Sequence, residues 1–415
     1  MFDKTIIKNI SSLFSIKIAS YIIPLITLPY LVRTLGVEGF GYLGFSLAIT
    51  QYAILLINYG FDLSATSAIS KCRDDKNKVS EIFWNVLTIR LLSFLVSSLL
   101  IGLAAVISET ISDIIHILFA TMSFALGAAL FPQWLFQGKE RLGLVSIARV
   151  ISQVLTIPLL FAFVSGPEDV WIAALISGAS SLVISIYALV LVYKRGWVVF
   201  TFPQIRTLMQ QLVEGWHIFI STAAISLYTT SVTVILGFIS GPINVGYFLA
   251  ADRVIKAVLG LYGIVSNAFY PRVNAVVEKS KIEATRLVMK LGKLVSLIAF
   301  VCSLGVFILA DIVVDILFGS EHQITANILQ ILSLLPIVIS ISNLMGIQIL
   351  IPFGYKKEFS KVLIIAGCMS LILLVPSVYF YAEYGAAVSV ILTEILVTGL
   401  MTHQVIKLKI LKAKK

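Results

Sequence analysis

The sequence predicts an all-α polytopic membrane protein, with about twelve transmembrane helices in two six-helix bundles around a central cavity. Three observations carry that expectation. Hydrophobic residues make up 59% of the 415 and charged residues only 13%, whereas a soluble globular chain holds roughly 25% charged residues. The mean hydropathy is +1.01, more apolar surface than a water-soluble core of this size encloses. The apolar residues also fall in runs of about twenty, the length a helix needs to cross ~30 Å of hydrocarbon.

In order, the first set of predicted spans runs Ile10–Val32, Phe40–Tyr59, Ile82–Val106, Ile114–Leu135, Leu144–Val164 and Val170–Tyr193. The second set runs Gly215–Ile239, Val245–Tyr270, Leu294–Phe318, Ala326–Ile351, Val362–Tyr381 and Ala386–Val405. The stretch 194–214 is the longest outside any span, and it divides the chain into bundles of residues 1–205 and 206–415. The N-terminus has lysines and an apolar stretch without a small-residue cleavage site, which reads as an uncleaved first span rather than a signal peptide.

Charge orients the spans. With the N-terminus inside, 25 of the 31 Lys and Arg fall in inner segments and one, Arg33, falls in an outer loop. Positive charge kept on one side over short loops is the mark of a cytoplasmic face, so both termini are expected in the cytoplasm. The net charge of +10 then reads as the positive-inside rule rather than as nucleic-acid binding. The lysine-rich tail after Ile406 is expected to meet anionic headgroups.

The remaining five cations lie inside spans, where an ionised group costs at least ~2.5–3.5 kcal/mol and usually faces a bundle interior or a wet cavity. Arg90 is eight residues past Ile82, about 12 Å into the membrane at 1.5 Å per residue. Lys17 lies deep in the first span. Arg253 and Lys256, three apart, share a helix face in the eighth. Arg149 is near enough to the boundary for snorkelling to account for it equally well. Deep acids are fewer, chiefly Asp252 and Glu394. Lys17, Arg90, Arg253 and Lys256 are therefore expected to line a cationic cavity for an anionic solute, pyrophosphate being dense in the charge that Arg and Lys bind. A structural salt-bridge network is the competing reading.

Enzyme signatures are lacking. The sequence holds no GxxxxGK[ST], no HExxH and no GxSxG, and its four histidines and three separated cysteines show no metal spacing. No catalytic residue, metal site or cofactor is expected.

Several segments resemble a known family. PQWLFQGKERL (Pro132–Leu142), NYGFDLSAT (Asn58–Thr66), RTLGVEGFGYLGFS (Arg33–Ser46), GYFLAADRV (Gly246–Val254), AFYPRV (Ala268–Val273) and GIQILIPFGYKKEF (Gly346–Phe359) look like segments of Wzx-type flippases. These belong to the multidrug/oligosaccharidyl-lipid/polysaccharide exporter superfamily. The resemblance implies a flippase in the bacterial inner membrane that carries an undecaprenyl-pyrophosphate-linked oligosaccharide, an O-antigen-type repeat unit, to the periplasmic leaflet by ion-coupled alternating access. It implies membrane lipids as surroundings and a polysaccharide polymerase and chain-length regulator as candidate partners. On that reading Asp252 or Glu394 carries a coupling proton. Asp62, Gln137, Gly138, Glu140 and Arg141 form an inner gate or lock the bundle ends, unless they are simply capped, solvated turns. Rival readings are a lipid II or capsular-unit flippase, a multidrug antiporter, whose lumen should be dominated by acids, and a membrane transferase, which would need a long periplasmic loop.

Overall fold

The computed structural model describes the backbone of residues 4–410, and the side chains of residues 23, 26–260, 269–270 and 272–410. The described backbone is helical nearly throughout, because in hydrocarbon a spanning segment must satisfy every N–H and C=O within itself. Among the described residues, eight helices are long and apolar enough to cross a membrane, or nine if the bent pair Ile205–Thr229 and Ser231–Ser240 counts as one span.

Two of the long helices exceed one crossing. Helix α1 (Lys4–Asn58) has 55 residues and α15 (Lys356–Lys407) has 52, about 80 Å each at 1.5 Å per residue. Both are interrupted where the sequence predicts loops. Gly36 stands at φ 71°, ψ 171° in α1, and Ala382 at φ 44°, ψ −124° in α15. Beyond Ala382 the chain turns back tightly, for Gly385 lies against the Ser377 carbonyl, where a Cβ has no room. That tight turn buries Glu383, an acid the hydropathy pattern assigns to an exposed outer loop.

Chain contacts divide the molecule into two compact units, residues 1–223 and 224–415. Unit 1 continues from α1 through α2 (Phe61–Lys71), α3 (Lys76–Ile107), α4 (Glu109–Asp113), α5 (Ile115–Leu130), α6 (Gln133–Gly138), α7 (Gly143–Phe163) and α8 (Val170–Lys194), then enters α9 (Ile205–Thr229). Helices α5 and α8 approach closely because small residues face each other: Gly127 meets Ser181, Gly178 meets Ser123, and Ser185 Oγ donates to the Gly127 carbonyl at 2.7 Å. Close backbone packing replaces the hydrophobic drive that lipid does not supply.

Unit 2 follows with α10 (Ser231–Ser240), α11 (Pro242–Lys279), α12 (Lys281–Phe318), α13 (Gln323–Leu332), α14 (Leu335–Asn343) and the π-helical turn Leu344–Leu350 before α15. Its core gathers Val288, Ile349, Leu350, Val362, Val397 and Met401. Glycines admit the π-turn into this core: Gly292 receives Leu344, and Gly346 packs under Met401 and Phe359.

Candidate functional site

At one end of unit 1 the chain brings two of the motif segments into one cluster. Helix α1 stops at Asn58, and Tyr59 (φ 43°) and Gly60 (φ 83°) turn the chain into α2. Short helix α6 carries QWLFQG and lies against α2. A Cβ added at Gly138 would stand 2.6 Å from Ile69 Cγ2 and 3.2 Å from the Thr66 carbonyl, so the two helices meet at a contact only glycine allows. Thr66 Oγ1 lies 3.2 Å from Gln137 Oε1.

The two helix ends cap each other. Arg73 Nε donates to the Gly138 carbonyl at 3.0 Å, and Lys139 Nζ donates to the Arg73 carbonyl at 2.9 Å. Cations at helix C-termini satisfy open carbonyls and the negative end of the helix dipole together. Arg73 Nη2 also pairs with Glu140 Oε1 at 2.7 Å, with Glu140 held at φ 55°. Arg141 is exposed and joins through its backbone, its N–H donating to the Phe136 carbonyl at 2.8 Å. Burial pushes the Lys139 ammonium below the usual lysine value and the Cys72 thiol above the usual thiol value.

Arg90 enters this cluster from α3. It is 2% exposed. Its guanidinium donates to Asn58 Oδ1 and, at 3.1 Å, to the Phe131 carbonyl. It stands 3.8 Å from Asp62 Oδ1 and lies over the Trp134 ring at 4.5 Å. One buried cation thus ties the end of α1, the start of α2 and the α5–α6 junction to α3. Such burial is tolerable because the charge has an anion, two oxygen acceptors and a π-face. Arg149 sits nearby over Phe131 at 5.3 Å, with Gln133 Oε1 3.4 Å from its Nη1.

Asn58, Phe131 and Trp134 are functional positions that lie in or beside the motif strings, which do not mark them as partners of Arg90. No spacing along one helix joins them to it, because Asn58, Arg90 and Trp134 lie on three different helices.

The other sequence-derived candidates are in unit 2, except Lys17, which lies outside the described residues. On α11, Asp252 is 6% exposed and its Oδ2 stands 2.6 Å from Lys256 Nζ. The Lys256 side chain is 55% exposed, and Arg253 beside it is exposed as well. The i, i+4 step therefore joins Lys256 to the acid at position 252. Glu394 is half-buried on α15, and among the described residues it forms no ion pair. Within each unit the arrangement is unequal: the unit 1 candidates interlock, while those of unit 2 are one pair, one open guanidinium and one solitary acid.

Comparison with known proteins agrees with this architecture. Residues 6–277 match the family described as polysaccharide biosynthesis protein. A protein of Escherichia coli (strain K12) named "Putative O-antigen transporter" is 38% identical over 95% of both chains. One of the same name from Shigella dysenteriae is 31% identical over 96% of this chain and 99% of its own. Two solved structures share the fold at 15% identity. A multidrug resistance MATE family transporter of the MOP superfamily, inward-facing, superposes with TM-score 0.72 over 95% of this chain and 96% of its own. The lipid II flippase MurJ, inward closed, superposes with TM-score 0.74 over 98% and 90%. The chain therefore belongs to the polysaccharide biosynthesis protein family, as a Wzx-type flippase rather than an enzyme.

Proposed function

We propose that this flippase moves an undecaprenyl-pyrophosphate-linked oligosaccharide repeat unit, of the O-antigen type, from the cytoplasmic to the periplasmic leaflet of the bacterial inner membrane. The observation that carries the reading is full-length similarity to proteins named as O-antigen transporters, at 38% and 31% identity. The charge pattern favours both termini in the cytoplasm.

The pyrophosphate is bound by the exposed cations of α11, Arg253 and Lys256, together with Lys17. Arg90, already enclosed, acts on the same event by holding the motif helices in place. Coupling draws on an ion gradient, since one charge crossing 100 mV supplies ~2.3 kcal/mol. Asp252 or Glu394 carries the coupling proton: Asp252 is paired with Lys256, and among the described residues Glu394 forms no ion pair. The residues Asp62, Gln137, Gly138, Glu140 and Arg141 gate the inner end of unit 1. A polysaccharide polymerase and chain-length regulator receive the delivered unit.

Complementation tests this. Wild type should restore surface polysaccharide to a flippase-null strain, Arg90→Ala should not, and Arg253→Ala/Lys256→Ala should express normally yet fail. No restoration by wild type, with the protein present in the membrane, refutes the function. Full restoration by the double variant refutes the headgroup site alone.

A further inference from the structure

The segment between α8 and α9 is usually the first place to look for a slack tether, and here it is pinned. Residues 197–204 form no regular secondary structure. Both polar groups of Val199 are held by α3: its N–H donates to Ser80 Oγ at 2.9 Å, and its carbonyl accepts from Trp84 Nε1 at 2.9 Å. Ser80 and Trp84 are one helical turn apart, so a single face of α3 clasps the strap. Trp197 turns inward, its ring edge-on to Phe136 at 5.5 Å.

The other side of the strap is apolar and open. Phe200 is 63% exposed and Phe202 79%, although the rings build outward from Trp84 in edge contacts of 5.0 and 4.9 Å. Helix α9 prolongs this ridge. Ile205, Met209, Val213 and Trp216 are all exposed, and steps of four, four and three keep them on one side of a helix. The side of α9 next to this ridge is occupied: Leu208 and Leu212 pack on the core of Phe61, Phe83 and Trp134, and Gly215 abuts the Tyr59 carbonyl. The helix thus rests on protein along one strip and shows an exposed apolar strip beside it.

Charge chooses the occupant. From 194 to 216 the chain carries three cations, Lys194, Arg195 and Arg206, against one acid, Glu214, and all four are exposed. Exposed aromatic rings flanked by basic residues suit the boundary between acyl chains and anionic headgroups, where rings tolerate both media and each Lys or Arg adds electrostatic attraction. A water-facing strap would have no cause to show six large apolar side chains in register. We propose that the ridge from Phe200 to Trp216 is an interfacial anchor, seated in the headgroup–acyl boundary of anionic phospholipid and holding the strap between α8 and α9 at the membrane surface. The inference is independent of which substrate is carried.

Depth measurement tests it on the full chain in vesicles of phosphatidylcholine with and without phosphatidylglycerol. Cys72, Cys302 and Cys368 are first replaced by serine, and a nitroxide is placed at Phe202→Cys or Met209→Cys, with Asp74→Cys as an aqueous reference. The anchor requires both labels to be more accessible to oxygen than to a water-soluble nickel chelate, the reverse of the reference. Phosphatidylglycerol should deepen them, and Lys194→Gln/Arg195→Gln/Arg206→Gln should abolish that deepening. Nickel access equal to the reference overturns the proposal, as does protection from both reagents, which would mean a protein covers the ridge. If the cysteine-free chain folds poorly, brominated-lipid quenching of wild type against Trp216→Phe serves instead. Selective loss of quenching in the variant supports the anchor, and unchanged quenching overturns it.

Discussion

Arg90 and Arg253 begin as equals, each a guanidinium several residues inside an apolar run, and they end in opposite circumstances. Arg90 has its guanidinium held by Asn58, the Phe131 carbonyl, Asp62 and the Trp134 ring. Arg253 is exposed on α11, and its neighbour Lys256 has a single partner in Asp252. Depth along a span is the same kind of number for both, but helical phase decides what each can do. A cation facing its own bundle organises structure, and a cation facing outward remains available to a ligand.

The sharpest way to break the comparison is to remove each cation and separate folding from transport. Arg90→Ala leaves Asp62 unpaired and strips Asn58 and the Phe131 carbonyl of their donor, so we expect a loss of about 3–5 kcal/mol in stability. Thermal unfolding of the purified protein in detergent would read it. Arg90→Lys keeps the charge without the fork and the stacked plane, and should fall between wild type and alanine. Arg253→Ala should leave unfolding within about 0.5 kcal/mol of wild type, as exposed positions do, while surface polysaccharide is lost. If both alanine variants unfold alike, the distinction fails.

Next in size is the glycine contact that brings the motif helices under Arg90. Gly138→Val drives a branched side chain into Ile69 and the Thr66 carbonyl, an overpacking worth about 1–3 kcal/mol. Disulfide trapping between Thr66→Cys and Gln137→Cys should proceed readily in the parent chain and slow in the valine variant. An unchanged rate would show that α2 and α6 do not depend on that approach. In unit 2 the corresponding test is gentler. A double-mutant cycle on Asp252 and Lys256 should give a coupling of about 0.5–1 kcal/mol, small because Lys256 is more than half exposed.

These contrasts mark what the sequence could and could not disclose. Hydropathy located the helices because one crossing needs about twenty apolar residues, and even the breaks near Gly36 and Ala382 fall in the gaps between predicted spans. Two of the motif strings also meet in the fold, where Thr66 approaches Gln137 and Gly138. The partner of Arg90 was not legible, because Asn58 and Trp134 lie 32 and 44 residues away and only the packing of α3 against the end of α1 and the α5–α6 junction sets them together. The i, i+3 spacing of Arg253 and Lys256 drew attention to a shared face, yet the i, i+4 neighbour Asp252 holds the lysine. Spacing along one helix offers several partners, and tertiary environment selects among them.

The smallest expected effect sits at the mouth of the unit 1 cluster. Asp75 caps α3, the helix that carries Arg90, by accepting from the Asn77 and Lys78 N–H groups at 3.1 Å each. The Lys78 backbone donor is the chief cause holding its carboxyl below the usual aspartate value. A group whose folded pKa is depressed contributes its stability above the unfolded pKa and loses it as pH falls through the folded one. Acidification should therefore loosen the first turn of α3. Hydrogen–deuterium exchange over residues 75–80, corrected for intrinsic rates, should rise below the usual aspartate range. Asp75→Asn should remove that pH response and keep the turn protected, because an amide caps as a carboxylate does but does not titrate. Equal acid sensitivity in the asparagine variant would place the response elsewhere, and the end of α3 would then owe its order to Arg90 and the packing around it.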